Sequence, residues 1–259
     1  MQRLGGKNVE SMSAGAVRRG LYPERSIASF SRDEGRFLFF SLVADLVTPD
    51  AVVADLGAGR GTQIDTSRGH MRRLMSFKGR CGRFIGIDVD TAVTGNPHVD
   101  EALVVGSDGL IPLPDDSVDV MFSFAVLEHV ADPKAFAREI HRVLKPGGWY
   151  CAWTPNKWGY VGMAVRAVPN ALHSKLAQMS EPGDGREERD VFPTCYRLNT
   201  LGAIQRYFAG FENHSFLANG SPSYHFGKPL IAWFWKLVMT VLPNAMAKTL
   251  FVFVRKPGA

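Results

Sequence analysis

Val52-Val53-Ala54-Asp55-Leu56-Gly57-Ala58-Gly59-Arg60-Gly61-Thr62 decides how the chain folds. A short β-branched apolar run ends in an acidic residue and then breaks into glycines at alternate positions. A buried parallel strand looks like this when it turns abruptly into a helix. Glycine permits positive φ, and without a Cβ it lets backbone approach a ligand closely. The free N–H groups opening the next helix would face that ligand. The stretch is built to grip something small and polar.

A dinucleotide is the first candidate. The nicotinamide fingerprint, G-x-G-x-x-G, needs its third glycine at 62; here the glycines stand at 57, 59 and 61, and 62 is Thr. Asp55 also occupies a position where a dinucleotide fold keeps an apolar residue. An acid there repels a pyrophosphate but suits an ammonium or a sulfonium, which points to S-adenosylmethionine. A nicotinamide oxidoreductase is disfavoured on the glycine spacing.

Outward from this stretch, strands alternate with helices. Strands are expected near 51–56, 83–88, 99–105, 118–124 and 149–154, with helices near 62–77 and 133–144. That alternation argues for a parallel sheet with right-handed crossovers, and ligands of such sheets sit beyond the carboxyl ends of the strands. Asp55, Asp88, Asp108 and Ser123-Phe124 all fall at those ends. Asp55 and Asp88 are 33 residues apart, against roughly 20 in a dinucleotide unit; the basic stretch 68–83 accounts for the excess.

Four segments in order across 52–156 resemble class I S-adenosylmethionine-dependent methyltransferases. Asp55-Leu56-Gly57-Ala58-Gly59-Arg60-Gly61 resembles the first motif, and Phe84-Ile85-Gly86-Ile87-Asp88 the second strand. Ser107-Asp108-Gly109 through Leu113-Pro114 resembles the loop after the third strand. Asp119-Val120-Met121-Phe122-Ser123 with Leu127-Glu128-His129-Val130, then Arg142-Val143-Leu144-Lys145-Pro146-Gly147-Gly148, resembles the fourth strand, its helix and the approach to the fifth.

The resemblance implies an α/β, Rossmann-like, seven-stranded, mostly parallel sheet. Its last strand is antiparallel and helices cover both faces; after strand five, where the resemblance weakens, the residues themselves read as a helical insertion. It implies S-adenosyl-L-methionine as cofactor and a cofactor-binding set of Asp55, Gly57, Ala58, Gly59, Gly61, Asp88, Val89, Ser107, Asp108, Gly109, Phe124 and Ala125. Asp55 would face the sulfonium side or the ammonium, Asp88 the ribose hydroxyls, and Asp108 the adenine amino group. Phe124 and Ala125 would line the side where the methyl group emerges. A turn or N-cap role is the alternative for Asp55 and Asp88, and an ordinary turn for Asp108.

The chain of 259 residues suffices for one α/β domain with a substantial core. Within it we expect an N-terminal cap at 1–47, a cofactor-binding core at 48–156, an insertion at 157–197 that could serve as an acceptor lid, and the rest of the sheet at 198–259. Residues 1–25 read as loosely held and 26–47 as helical; Tyr22 and Arg25 are either cleft or surface residues. Helices are expected near 158–168, 170–179 and 200–208, the last capped by Thr200 or Asn199. Strand six is expected near 212–217 and the final strand over 248–255.

Hydrophobic residues make up 46% and charged ones 21%, with a net charge of +5. That excess is too mild to argue for nucleic acid, and the cluster Arg68, Arg72, Arg73, Lys78, Arg80 and Arg83 reads as a solvated face or an anion-facing one. Three cysteines without a C-x-x-C suggest neither a zinc site nor a disulfide framework. No secretory signal is visible, so the expected compartment is the cytoplasm, with membrane association open. That option comes from Pro229–Pro243, whose thirteen intervening residues carry a single charge. A spanning helix needs about 20, so the segment either packs on the body or lays its Trp pair in a membrane interface.

Methyl transfer from a sulfonium is an in-line displacement that needs alignment and water exclusion, and no metal. His129, just past strand four, is the candidate general base; bracing the local helix is its alternative role. No Asn/Asp-Pro-Pro-Tyr/Phe element follows strand four, which speaks against amino groups of nucleic acid. No Pro-Cys nucleophile appears, and an Asp-Asp/Asn metal set cannot be placed. The expected activity is methylation, at oxygen before carbon, of a small-molecule, sugar or lipid-linked acceptor. The rival is a non-catalytic or peripheral membrane-binding protein that keeps the fold.

Overall fold

The computed structural model describes residues 14–28, 30–160, 162–163, 193–222 and 228–258. The quoted strand, β1 (Val52–Leu56), lies inside a sheet with β2 (Arg83–Asp88), β3 (Glu101–Val104), β4 (Val118–Phe124), β5 (Leu144–Pro155), β6 (Glu212–Asn213), β7 (Phe216–Ala218) and β8 (Thr249–Arg255). The order is β3-β2-β1-β4-β5-β8-β6, with β7 also on β8. The first five strands run parallel and β8 runs antiparallel to β5. Strand order reverses between β1 and β4, and a crevice opens there beyond their carboxyl ends.

Successive residues of the central strands face opposite layers, and both layers are covered. Ala54, Ile85, Met121 and Ala152 pack with Ile140 and Val143 of α5 (Pro133–Val143) and Ile204 of α6 (Leu201–Tyr207). Val53, Phe84, Val120 and Phe122 pack with Phe39, Phe40 and Val43 of α2 (Gly35–Leu46) and Met71 and Met75 of α4 (Gly69–Met75). Burial on both faces explains why these strands read as continuous apolar runs.

Strand six is split, giving eight strands among the described residues rather than seven. The Asn213 side chain captures the Ser215 N–H at 2.9 Å and the Ser215 hydroxyl accepts from the Phe253 N–H at 3.2 Å, so side chains replace the ladder bonds at Ser215 while the His214 N–H still donates to the Phe253 carbonyl at 2.8 Å. The helix expected over 62–77 is likewise two, α3 (Thr62–Thr66) and α4. Thr66 and Ser67 hydroxyls bond back to carbonyls one turn earlier, and Gly69 takes a φ of 55°.

The N-terminal expectation needs correcting. Residues 14–25 are held: α1 (Ala14–Leu21) buries Val17 and Leu21, and Tyr22 is fully buried beyond it. Tyr22 is thus a core residue, and Arg25 pairs with Glu34 at 3.3 Å. The helix expected from 26 begins only at Gly35, because the Pro23–Ser26 3-10 turn and the loop after it intervene. Phe30 reaches that helix by stacking on Phe37 at 4.1 Å.

The helix expected near 200–208 spans 201–207, and Thr200 is its cap, accepting from the Ala203 N–H at 3.1 Å. Of the helix expected near 158–168, residues 160, 162 and 163 are helical and 164–168 lie outside the described residues, as does the whole of the helix expected near 170–179. Basic residues of 68–83 mostly tie down local structure: Lys78 donates to the Pro97 and Val99 carbonyls, and Arg83 pairs with Glu101.

Ser123 of β4 and Tyr150 of β5 share a buried hydroxyl–hydroxyl bond of 2.7 Å. Tyr150→Phe leaves the Ser123 hydroxyl without this partner and should lower unfolding free energy by about 1–2 kcal/mol in urea titration. An unchanged midpoint would mean that the bond adds nothing to the core.

Candidate functional site

The crevice at the switch point is floored by the glycine loop. Gly57, Gly59 and Gly61 all have positive φ, at 86°, 48° and 79°. Space as well as conformation demands glycine at two of them: a Cβ on Gly57 would collide with the Val126 side chain, and one on Gly61 would lie 2.6 Å from the Asn96 oxygen. Gly57 and Ala58 N–H groups both donate to the Ile87 carbonyl, at 2.7 and 3.2 Å, tying the loop to β2.

Asn96 locks the loop from the other side. This buried side chain donates to the Ala58 and Gly59 carbonyls at 3.3 and 3.1 Å, and its oxygen accepts from the His98 N–H at 3.0 Å. Sequence reasoning missed it. The available signal was an Asn-Pro pair just past strand two, which reads as a turn.

Asp55, Gly57, Gly61 and Asn96 line a cleft of about 430 Å³, counting the solvent at its mouth, together with Phe40, Ile64, Phe122 and Phe124. The Asp55 carboxyl has no hydrogen bond or ion pair among the described residues, and it lies part-buried in the cleft lining. Burial first, and the Asp88 charge second, push it up to about 7. Asp88 is better provided for. Its two oxygens accept from the Gly59 N–H at 2.8 Å and the Asp90 N–H at 2.9 Å, and each keeps lone-pair capacity for a hydroxyl donor.

Other candidates are more dispersed. Val89 is 62% exposed beside Asp88. Ser107, Asp108 and Gly109 form an exposed turn after β3, in which the Asp108 carboxylate accepts from the Leu110 N–H at 3.1 Å. The loop is steadied from below by Arg142, whose guanidinium donates to the Ile111 and Leu113 carbonyls at 2.9 Å each.

Phe124 closes β4 and stacks on Trp153 at 4.4 Å. Ala125 follows with a φ of 59°, an uncommon conformation for a residue with a side chain. The Trp153 indole N–H is buried and finds no partner among the described residues.

His129 ends a 3-10 turn over Leu127–His129, and its Nδ1 lies 3.0 Å from the Pro193 carbonyl. A carbonyl can only accept, so Nδ1 carries the proton and Nε2 the lone pair in the neutral ring. Glu128 beside it is buried in a relay: Asn199 donates to the Thr154 hydroxyl at 2.7 Å, and Thr154 donates to Glu128 at 2.8 Å. Among the described residues no group of three or more His, Cys, Asp or Glu could hold a metal.

Residues 55–152 match the family model described as a methyltransferase domain. A Mycolicibacterium smegmatis protein named as an S-adenosylmethionine-dependent methyltransferase is 36% identical over 110 residues, covering 40% of this chain and 38% of its own length. A Mycobacterium bovis protein named only as a methyltransferase is 34% identical over 151 residues, covering 51% of this chain and 55% of its own. The chain thus spans about half or less of these curated relatives.

Among solved structures, a Haloferax volcanii protein described as a methyltransferase, in complex with the Trm112 methyltransferase activator, is similar with a TM-score of 0.53 and 20% identity. That match covers 96% of this chain and 97% of the other. A Galdieria sulphuraria protein described as a sarcosine dimethylglycine methyltransferase gives 0.52 and 16%, covering 86% and 85%. Both show the fold alone.

Asp55 also links the site to stability. Its folded value lies above the roughly 4 of an unfolded carboxyl. Its contribution is therefore complete below about pH 4 and is lost as pH rises to about 7. Asp55→Asn keeps the shape and removes the titration. Its stability relative to the parent should improve by roughly 1–3 kcal/mol between pH 4.5 and 7.5, read as the difference in melting temperature at each pH. A constant difference would place the carboxyl in ordinary solvent.

Proposed function

From the match of residues 55–152 to a methyltransferase domain, we propose that the chain is a class I S-adenosylmethionine-dependent methyltransferase that methylates an oxygen of a small-molecule, sugar or lipid-linked acceptor. The observation that carries the reading is Asp55: a carboxyl without a partner, half-neutral near pH 7, aimed into a cleft with a bare glycine floor. Such a group favours a ligand that brings its own positive charge. When bound, the cofactor supplies a methyl group activated by a sulfonium.

This chain's residues bind and shield. Gly57, Ala58 and Gly59 present backbone to the amino-acid end, with Asp55 neutralising the cation. Asp88 accepts from ribose hydroxyls, and Asp108, with Gly109 and Ser107, from the adenine amino group. Phe40, Phe124 and Trp153 make an aromatic wall that excludes water from the transfer side. His129 would take the acceptor's proton.

Calorimetry across pH tests the donor half. Cation binding favours the Asp55 carboxylate, so affinity for S-adenosylmethionine should rise up to tenfold per pH unit between about 5.5 and 7 and flatten in Asp55→Asn. No heat with either the donor or its demethylated product would end the proposal.

Labelled donor with metabolite extracts tests the acceptor half. His129→Gln should cut turnover at least about tenfold with donor affinity unchanged, and an undiminished rate would remove His129 from the mechanism.

A further inference from the structure

The C-terminal helix α7 (Pro229–Val241) is apolar save for Lys236 and Thr240, yet among the described residues the body covers only one side of it. Ala232 is fully buried and Met239 nearly so. Trp235 stacks on Tyr160 at 4.3 Å, and α1 packs alongside. The expectation that the segment either packs or touches membrane is therefore met on its packing side and leaves an opposite side to explain. Leu230, Trp233, Phe234, Leu237 and Val241 are 85%, 56%, 57%, 64% and 72% exposed. At about 100° per residue they fall on one stripe about 100° wide, directly opposite Ala232 and Met239.

We propose that this stripe is a membrane-surface contact: α7 lies in the plane of an anionic bilayer and seats its apolar stripe at the headgroup–acyl boundary. Charge favours lipid as the occupant. Residues 228–248 hold three lysines and no acidic side chain, and α1 adds Arg18 and Arg19 with no acid. Of the nearby acids, Glu24 pairs with Arg32 at 3.7 Å, Glu34 with Arg25, and Asp33 lies against the Tyr22 hydroxyl. The Lys236 ammonium lies 5.5 Å over the Trp233 ring, at the flank of the stripe. An amphipathic aromatic beside a cation with a long apolar stem is the side-chain chemistry of a lipid interface. No helix among the described residues is long and apolar enough to cross a membrane, and an in-plane helix does not need to be.

Contact with lipid deepens the proposed function, since it would bring the cleft to lipid-linked acceptors. It does not depend on that reading, because it is measured without cofactor.

The experiment is co-sedimentation of the full chain, without S-adenosylmethionine, with vesicles of phosphatidylcholine alone and of 3:1 phosphatidylcholine:phosphatidylglycerol. The chain should pellet with the anionic vesicles and release at high salt. Trp233→Ser with Leu237→Ser should weaken this at least about tenfold while melting temperature and donor binding stay put, since both side chains are exposed. Lys228→Glu should weaken it without touching the stripe. Failure to pellet with either vesicle, or pelleting that the double variant does not reduce, overturns the proposal. Concentration-dependent self-association that the double variant abolishes, without pelleting, would assign the stripe to a second copy and overturn it equally.

Discussion

A carboxyl held without a partner at the end of a buried strand costs free energy, and much of the local structure serves to keep it there. Asp55 ends β1, where the sheet order reverses and a crevice must open. The loop after it cannot swing in to satisfy it, because the Ile87 carbonyl holds Gly57 and Ala58 while the Asn96 side chain holds the next two carbonyls. Asp88 raises its cost further by facing it with a second negative group. A site in which two acids converge on a rigid, side-chain-free floor is organised before any ligand arrives. The missing charge is positive.

The same constraint explains the aromatic layer above the crevice. Phe39 and Phe40 of α2 meet Phe122 and Phe124 of β4, and Phe124 stacks on Trp153 of β5. Rings at these positions fill the layer between helix and sheet and leave little room for water beside the strand ends. Burial and binding thus draw on the same side chains.

Legibility of the sequence followed the range of the interactions. β2 and β4 matched their expected bounds because a run buried on both faces is written in consecutive residues, and Gly57 to Gly61 were legible because only glycine tolerates their φ values and neighbours. What escaped depends on partners distant in sequence or on side chains competing with backbone. Asn96 reaches back 38 residues to Ala58. Ser67 and Ser215 interrupt elements through their hydroxyls, and Tyr22 is a core residue only because α7, some two hundred residues later, packs near it. The split personality of α7 was hidden for a further reason: a helix with Lys236 as its one charge carries too little pattern to say which side the body will cover.

The most direct test observes the Asp55 carboxyl itself. Protein labelled with carboxyl-13C aspartate can be titrated by NMR with and without S-adenosylmethionine, with Asp55→Asn assigning the resonance. A carboxyl titrating near pH 7 in the free protein and below about pH 5 with the donor bound is the expected result. A carboxyl that titrates near pH 4 in the free protein, or whose titration the donor leaves unmoved, would contradict the assignment of this crevice as a cation-seeking site.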